Sequence, residues 1–269
     1  MRHIYRLTKI FAGIATILVF ALAWPQGLAF SEPLSRENLP QVLEEVLRHH
    51  PDLILDVLRN NSESVLEIAQ QGSNLRRKHN LEAQWAEDLK KEKTVKLQGR
   101  PVLGAPDAKV HIIAFTDFTC HYCQQASHTV DAILQEYGKK VCLVFKGLPL
   151  DEKGPGAVAT SYFLAAAQQN EKLAWKLYKI LFANSDKLVA EGEAYLKKTA
   201  EGLGLDMKKL QRDAHSKKIA EVVAEDLQDA QKLGIEGTPY FLVNRLVIRG
   251  ALPLDLFKGA VDTALRHAK

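Results

Sequence analysis

Hydrophobic and polar positions change their period twice along the chain. Met1 to Lys9 carries Arg2, Arg6 and Lys9 without an acid, and Ile10 to Trp24 is almost wholly apolar. From Ser35 to about Leu97 the apolar positions recur at helical spacing: Leu39, Val42, Leu43, Val46 and Leu47 form one stripe, and Leu53, Ile54, Val57 and Leu58 a second. Pro51, just before the second stripe, suits a first helical position. A third helix opens near Ser62 and is thinly apolar, with Val65, Ile68, Ala69, Leu75, Leu81, Trp85 and Leu89 set among Arg76-Arg77-Lys78 and Lys90-Lys91-Glu92-Lys93.

After Gly99-Arg100-Pro101 the pattern becomes that of alternating strands and helices. Val110 to Phe115 predicts a strand, a helix follows to about Tyr137, and Val141 to Lys146 predicts a second strand. That βαβ order implies parallel pairing. Ala157 to Gln169, Lys172 to Phe182, Glu193 to Leu203, Met207 to Ala214 and Lys217 to Leu233 all have helical spacing, with a turn at Asn184-Ser185-Asp186. Tyr240 to Val243, a turn at Asn244-Arg245 and Leu246 to Ile248 predict a hairpin, closed by a helix from Leu254 to about His267. The expected fold class is therefore α/β.

Three regions follow from the pattern. Residues 1–29 read as a signal peptide, with Gly27-Leu28-Ala29 offering small residues at the cleavage positions. The rival is an uncleaved anchor, which Pro25, Gln26 and Gly27 weaken. Residues 30–98 read as a helical stalk. Its stripes need a partner, either the rest of the chain or further copies of itself; self-association is favoured because few apolar positions lie between Arg76 and Lys96 to dock that segment, which would then act as a charged spacer. Residues 99–269 form the main domain, with a helical insert at about 152–234.

Charge adds little beyond exclusion. Removing the leader takes the 36 basic residues to 33 against 32 acids, a net of +1, which leaves no footprint for nucleic acid. The chemistry lies in the three cysteines. Cys120-His121-Tyr122-Cys123 sits where a strand gives way to a helix, so unsatisfied backbone N–H groups and the helix dipole favour a thiolate on Cys120. Export matters, because a cysteine pair in an oxidising compartment can carry a disulfide. Cys142, inside the apolar Val141 to Phe145 run, reads as a core residue. A zinc site lacks ligands, since no second Cys-x-x-Cys and no paired histidine motif accompany the first. His49 and His50 suit a helix end better than a metal, although copper(I) on two thiolates remains conceivable as a side activity.

Taken in order, Phe115-Thr116-Asp117-Phe118-Thr119-Cys120-His121-Tyr122-Cys123, Lys146-Gly147-Leu148-Pro149-Leu150, the helical insert and Gly237-Thr238-Pro239 with its hairpin resemble the DsbA-like group of the thioredoxin superfamily. The likeness covers about Val102 to Lys269, and the N-terminal helices resemble the oligomer-building extension of the suppressor-of-copper-sensitivity C proteins. The resemblance implies a thioredoxin-like fold, no cofactor, exported protein substrates, a membrane redox partner and homo-oligomers. It also implies a cis-proline at Pro239 facing the cysteine pair, with Thr238 offering backbone groups to an extended substrate. One departure stands out. Relatives often carry a buried acid six positions before the first cysteine, where this chain has Ala114; the proton route for Cys123 must then use water, a hydroxyl such as Thr116 or Thr119, or Asp117, whose plainer role is a turn or cap.

His121 beside Cys120 and the bulk of Tyr122 are expected to tune the pair. A thiol of pKa about 8.5 is roughly 3% ionised at pH 7, and one lowered to about 5.5 is roughly 97% ionised. A Brønsted slope of about 0.4 to 0.5 nearly cancels that gain in attack rate, so what survives is a good leaving group and an oxidising disulfide. A disulfide-donating oxidase is the leading expectation. An oligomeric isomerase or reductase is the alternative, and a copper-binding or chaperone module the minor one.

Overall fold

The computed structural model describes residues 35–268, so the expected signal peptide lies outside the described residues. The chain divides into two compact units, residues 1–71 and 72–269. In the first, the two predicted stripes form α1 (Leu39–His49) and α2 (Pro51–Asn60), joined at His50, with Pro51 opening the second as expected. Neither helix buries a residue: Leu43, Leu53, Ile54, Val57 and Leu58 all stay exposed. The following helix, α3 (Ser62–Asp88), is continuous through the boundary between the units.

The second unit is built on a five-stranded sheet of order β1-β3-β2-β4-β5. These strands are β1 (Val102–Gly104), β2 (Val110–Thr116), β3 (Val141–Gly147), β4 (Tyr240–Val243) and β5 (Leu246–Arg249). β2 and β3 pair in parallel through the crossover helix α4 (His121–Tyr137), and the other pairings are antiparallel. The insert supplies α5 (Pro155–Gln169), α6 (Glu171–Ala183), α7 (Ser185–Glu191), α8 (Glu193–Gly202), α9 (Met207–Ala214) and α10 (Lys217–Lys232), and α11 (Leu254–His267) closes the chain. This is the α/β fold with a helical insert that the pattern predicts.

Period-two alternation assigns the strand residues to two faces. Ile112 and Ala114 join Phe145 and Phe241 on the face covered by α4, α11 and the insert, while Ile113 and Phe115 join Cys142, Val144, Tyr240 and Leu242 on the other. Cys142 is completely buried, as a core residue should be, and burial pushes its thiol up to about 11.

Three features add to the pattern. The expected break falls at Asn184, and Ser185 already opens α7, whose Leu188 is fully buried and gives that short helix an inner face. β1 is too short to show alternation and is held by its pairing with β3, Val102 opposite Val144. Finally, residues 72–98 cluster with the second unit, and the charged end of α3 lies against its sheet. Trp85 is 3% exposed, its indole N–H and the Gln84 amide both donate to the Val247 carbonyl, and Asp88 accepts from the Val247 N–H. Sheet order makes β5 an edge strand, and the end of α3 satisfies the outward N–H and C=O of Val247. One indole and two polar side chains achieve what a count of apolar positions did not anticipate.

Candidate active site

The turn between β2 and α4 is fixed before either sulfur is placed. Phe118 is fully buried against Phe182, Phe145, Phe163 and Tyr178, with ring centroids 4.9 to 5.8 Å away. Asp117 is buried too, and its carboxylate is saturated by local donors: Oδ1 accepts from the Thr119 N–H and hydroxyl at 2.8 Å each, and Oδ2 from the Leu150 N–H at 2.9 Å. Asp117 is thus a turn residue joining the cysteine loop to the segment after β3. Gly156, at the start of α5, leaves the room it needs, since a methyl group there would meet Asp117 Oδ1 and Thr119 Oγ1.

Cys120 occupies the N-cap of α4 in an extended conformation, and its carbonyl accepts from the N–H groups of Cys123 and Gln124. It is half-buried, whereas Cys123, one turn into the helix, is 2% exposed. All three cysteines are free thiols. Across the cleft the Thr238-Pro239 bond is cis, and Cys120 Sγ donates to the Thr238 carbonyl at 3.5 Å. The fold therefore brings together Cys120, Cys123, Thr238 and Pro239.

The two thiols differ sharply in acidity. The Cys123 thiol donates to the Cys120 sulfur, and with help from Thr238 and the N–H groups of Cys123 and Tyr122 it overcomes burial and lowers Cys120 to about 5. Among the described residues the Thr238 hydroxyl is buried without a hydrogen-bond partner in the dithiol state, so a Cys120 thiolate supplies the acceptor it lacks. Cys123 moves the other way, held far above an ordinary thiol by burial and by its bond to Cys120.

His121, expected to tune the pair, follows Cys120 at the first position of α4. It is exposed, its Nε2 lies 3.0 Å from Gln125 Nε2 one turn along α4, and its ring stands edge-on to Tyr122 at 5.8 Å. The donors that lower Cys120 are Cys123, Thr238 and backbone, and Tyr122 contributes its N–H while its side chain is 61% exposed.

Ala114 leaves an apolar floor at the position where the resemblance implied an acid, sitting in register between Phe145 and Phe241. Of the substitutes considered, Thr116 has its hydroxyl beside Cys123, while Thr119 and Asp117 are engaged with each other. Four buried residues come together without a joint signal in the sequence: Arg100, Lys146, Asp226 and Asp229. Their only signal is a lysine ending an apolar strand and two aspartates three apart on one helix. Among the described residues no group of three or more His, Cys, Asp and Glu side chains converges to hold a metal ion.

A family model described as Thioredoxin matches residues 96–263. The chain belongs to the thioredoxin family. A thioredoxin-like oxidoreductase from Silicibacter pomeroyi DSS-3 is 29% identical, with a TM-score of 0.56 over 63% of this chain and 94% of that one. That structure and this chain share the thioredoxin-like fold, which here carries the Cys120 and Cys123 thiols. Two more distant structures share the fold: oxidised BdbD from Bacillus subtilis (22% identity, 65% of this chain and 97% of that one, TM-score 0.58) and a linker-deletion variant of ScsC from Proteus mirabilis (21%, 88% and 99%, 0.56). The Na(+)/H(+) antiporter NhaA 3 of Salinispora tropica is 31% identical over 169 residues, 62% of this chain but 25% of the antiporter. The chain thus spans about a quarter of the curated relatives it matches. No described helix is long and apolar enough to cross a membrane.

Proposed function

We propose that the chain is an exported dithiol oxidase that donates the Cys120–Cys123 disulfide to extracytoplasmic proteins and is reoxidised by a membrane partner. The observation that carries this reading is the asymmetry of the pair: a half-exposed, acidic Cys120 faces Thr238 and Pro239, and a buried, weakly acidic Cys123 stands behind it. A substrate thiolate attacks Cys120 Sγ, and the Cys120–Cys123 bond breaks. Cys123 takes the electron pair and then a proton, consistent with its burial. A second substrate thiolate next attacks the substrate sulfur of the mixed disulfide, and Cys120 leaves as a stable thiolate. The substrate gains a disulfide and the enzyme holds the two electrons as a dithiol.

Residues 1–29 are the export signal and Thr238-Pro239 the substrate loop in this proposal. A second reading, an isomerase or reductase kept reduced by its partner, is favoured by the uncovered stripes on α1 and α2, which suit a homo-oligomer holding several sites around one substrate. Thiol alkylation and gel shift in intact cells separate the two: a mostly oxidised pair supports the oxidase, a mostly reduced pair the isomerase. Cys123→Ser should accumulate mixed disulfides with substrates. Accumulation in Cys120→Ser instead would overturn the assignment of Cys120 as the attacked sulfur.

A further inference from the structure

Behind the cleft, on the sheet face opposite Ala114, lies a buried ion cluster that the exchange chemistry does not use. Lys146 is 0% exposed and all its ammonium protons are engaged, with the Lys96 carbonyl, Asp229 Oδ2 and Asp226 Oδ1 each at 2.8 Å. Asp226 Oδ1 also accepts from Arg100 Nε and Nη2 at 2.9 and 2.7 Å, and its Oδ2 from the Gly147 N–H at 2.9 Å. Arg100 reaches the Val222 carbonyl at 3.0 Å, and Asp229 Oδ2 accepts from the Lys96 N–H at 2.8 Å. Three segments, residues 96–100, the end of β3 and α10, are thereby fastened together.

Two of the three fastened segments lead to the walls of the cleft. Gly147 pairs with Thr116, the Leu148 N–H donates to the Thr116 carbonyl at 2.9 Å, and the Leu150 N–H donates to Asp117, so the end of β3 sets the turn before Cys120. From α10, the Leu233 N–H donates to the Asp229 carbonyl and the Ile235 N–H to the Ala230 carbonyl, at 3.1 and 2.9 Å, so the same helix turn carrying the aspartates aims the loop that runs through Thr238-Pro239 into β4. A buried ion cluster is seldom better for stability than an apolar filling of the same volume, but its directional bonds fix register. We propose that Lys146, with Asp226 and Asp229, is a positioning group for substrate exchange, locking the Thr238-Pro239 loop at its working distance from Cys120.

This inference rests on the proposed role of that loop in holding an extended substrate. It predicts a split between two reductants of the oxidised protein. A cysteine-containing peptide must lie along the loop, whereas dithiothreitol needs only the exposed sulfur. In Lys146→Met and Asp226→Asn the rate with the peptide should fall about 10- to 100-fold, the range expected when a distant change misplaces reacting groups, while the rate with dithiothreitol stays close to wild type. Should those variants fail to fold, Asp229→Asn keeps the shape and the acceptor for Lys96 while removing one charge; it should show the same split at smaller amplitude. Folded variants that react with the peptide at the wild-type rate, or lose both rates equally, overturn the positioning role. A wild-type protein that reacts with dithiothreitol but is inert toward the peptide would sink the substrate-loop reading itself, and the positioning role with it.

Discussion

The helices α1 and α2 and the last third of α3 carry opposite surfaces and meet opposite fates. The first pair presents continuous apolar stripes and buries none of them, while the charged end of α3 is the part that docks, through Trp85, Gln84 and Asp88. An apolar stripe says only that a face requires cover. What covers it depends on where backbone groups elsewhere lack partners, and here the edge strand β5 offers Val247 N–H and C=O to polar side chains of α3.

The largest expected effect tests the docked helix. Trp85→Ala removes a buried indole and the N–H bonded to Val247, and should cost about 3–5 kcal/mol of unfolding free energy in denaturant titration. A loss below about 1 kcal/mol would mean that α3 only rests on the sheet edge. Asp88→Ala comes next: it leaves the Val247 N–H without its acceptor and removes the carboxylate from the Lys93 ammonium, for a cost of about 1–3 kcal/mol in the same titration.

The uncovered pair should behave differently. Leu43→Ser combined with Val57→Ser removes two exposed side chains, so the unfolding free energy measured at low protein concentration should stay within about 0.5 kcal/mol of wild type. Sedimentation at higher concentration is where this variant should differ, with loss of self-association if a second copy covers the stripes. A wild-type chain that sediments as a monomer throughout would remove the homo-oligomer from the proposal.

The same distinction explains what was legible in the sequence. Every strand with a clear period was readable, as were the cysteine pair at the strand-to-helix junction and, through family resemblance, the loop at Thr238-Pro239. Features made by polar contacts between distant segments were not. Trp85 reads as one more helical apolar residue, and Lys146 as the end of an apolar strand, because neither the 162 residues separating Trp85 from Val247 nor the 83 separating Lys146 from Asp229 leave a periodic trace. Asp117 could be placed in a turn by its residue type, yet its bond to Leu150 required the fold.

At the redox pair the contrast between expected and actual partners recurs, and it sets the smallest predicted effect. A histidine next to Cys120 in sequence suggests a charge beside the sulfur, but His121 pairs along the helix with Gln125, and the first donor to Cys120 is the Cys123 thiol. Thiolate absorbance of the reduced protein should titrate near 5, and Cys123→Ala should raise that midpoint toward the ordinary thiol value by removing the donor. His121→Ala should move it only slightly; a larger rise in His121→Ala than in Cys123→Ala would restore the histidine as the tuning group. The sign for stability follows from the depressed value. Ionisation of Cys120 favours the folded dithiol fully above the ordinary thiol pKa, and this contribution is lost as pH falls through about 5. Thermal unfolding of reduced against oxidised protein should therefore show the reduced form losing ground on acidification. In Cys123→Ala compared with its own alkylated form, the loss should be smaller and complete at a higher pH, whereas His121→Ala should follow the wild-type curve.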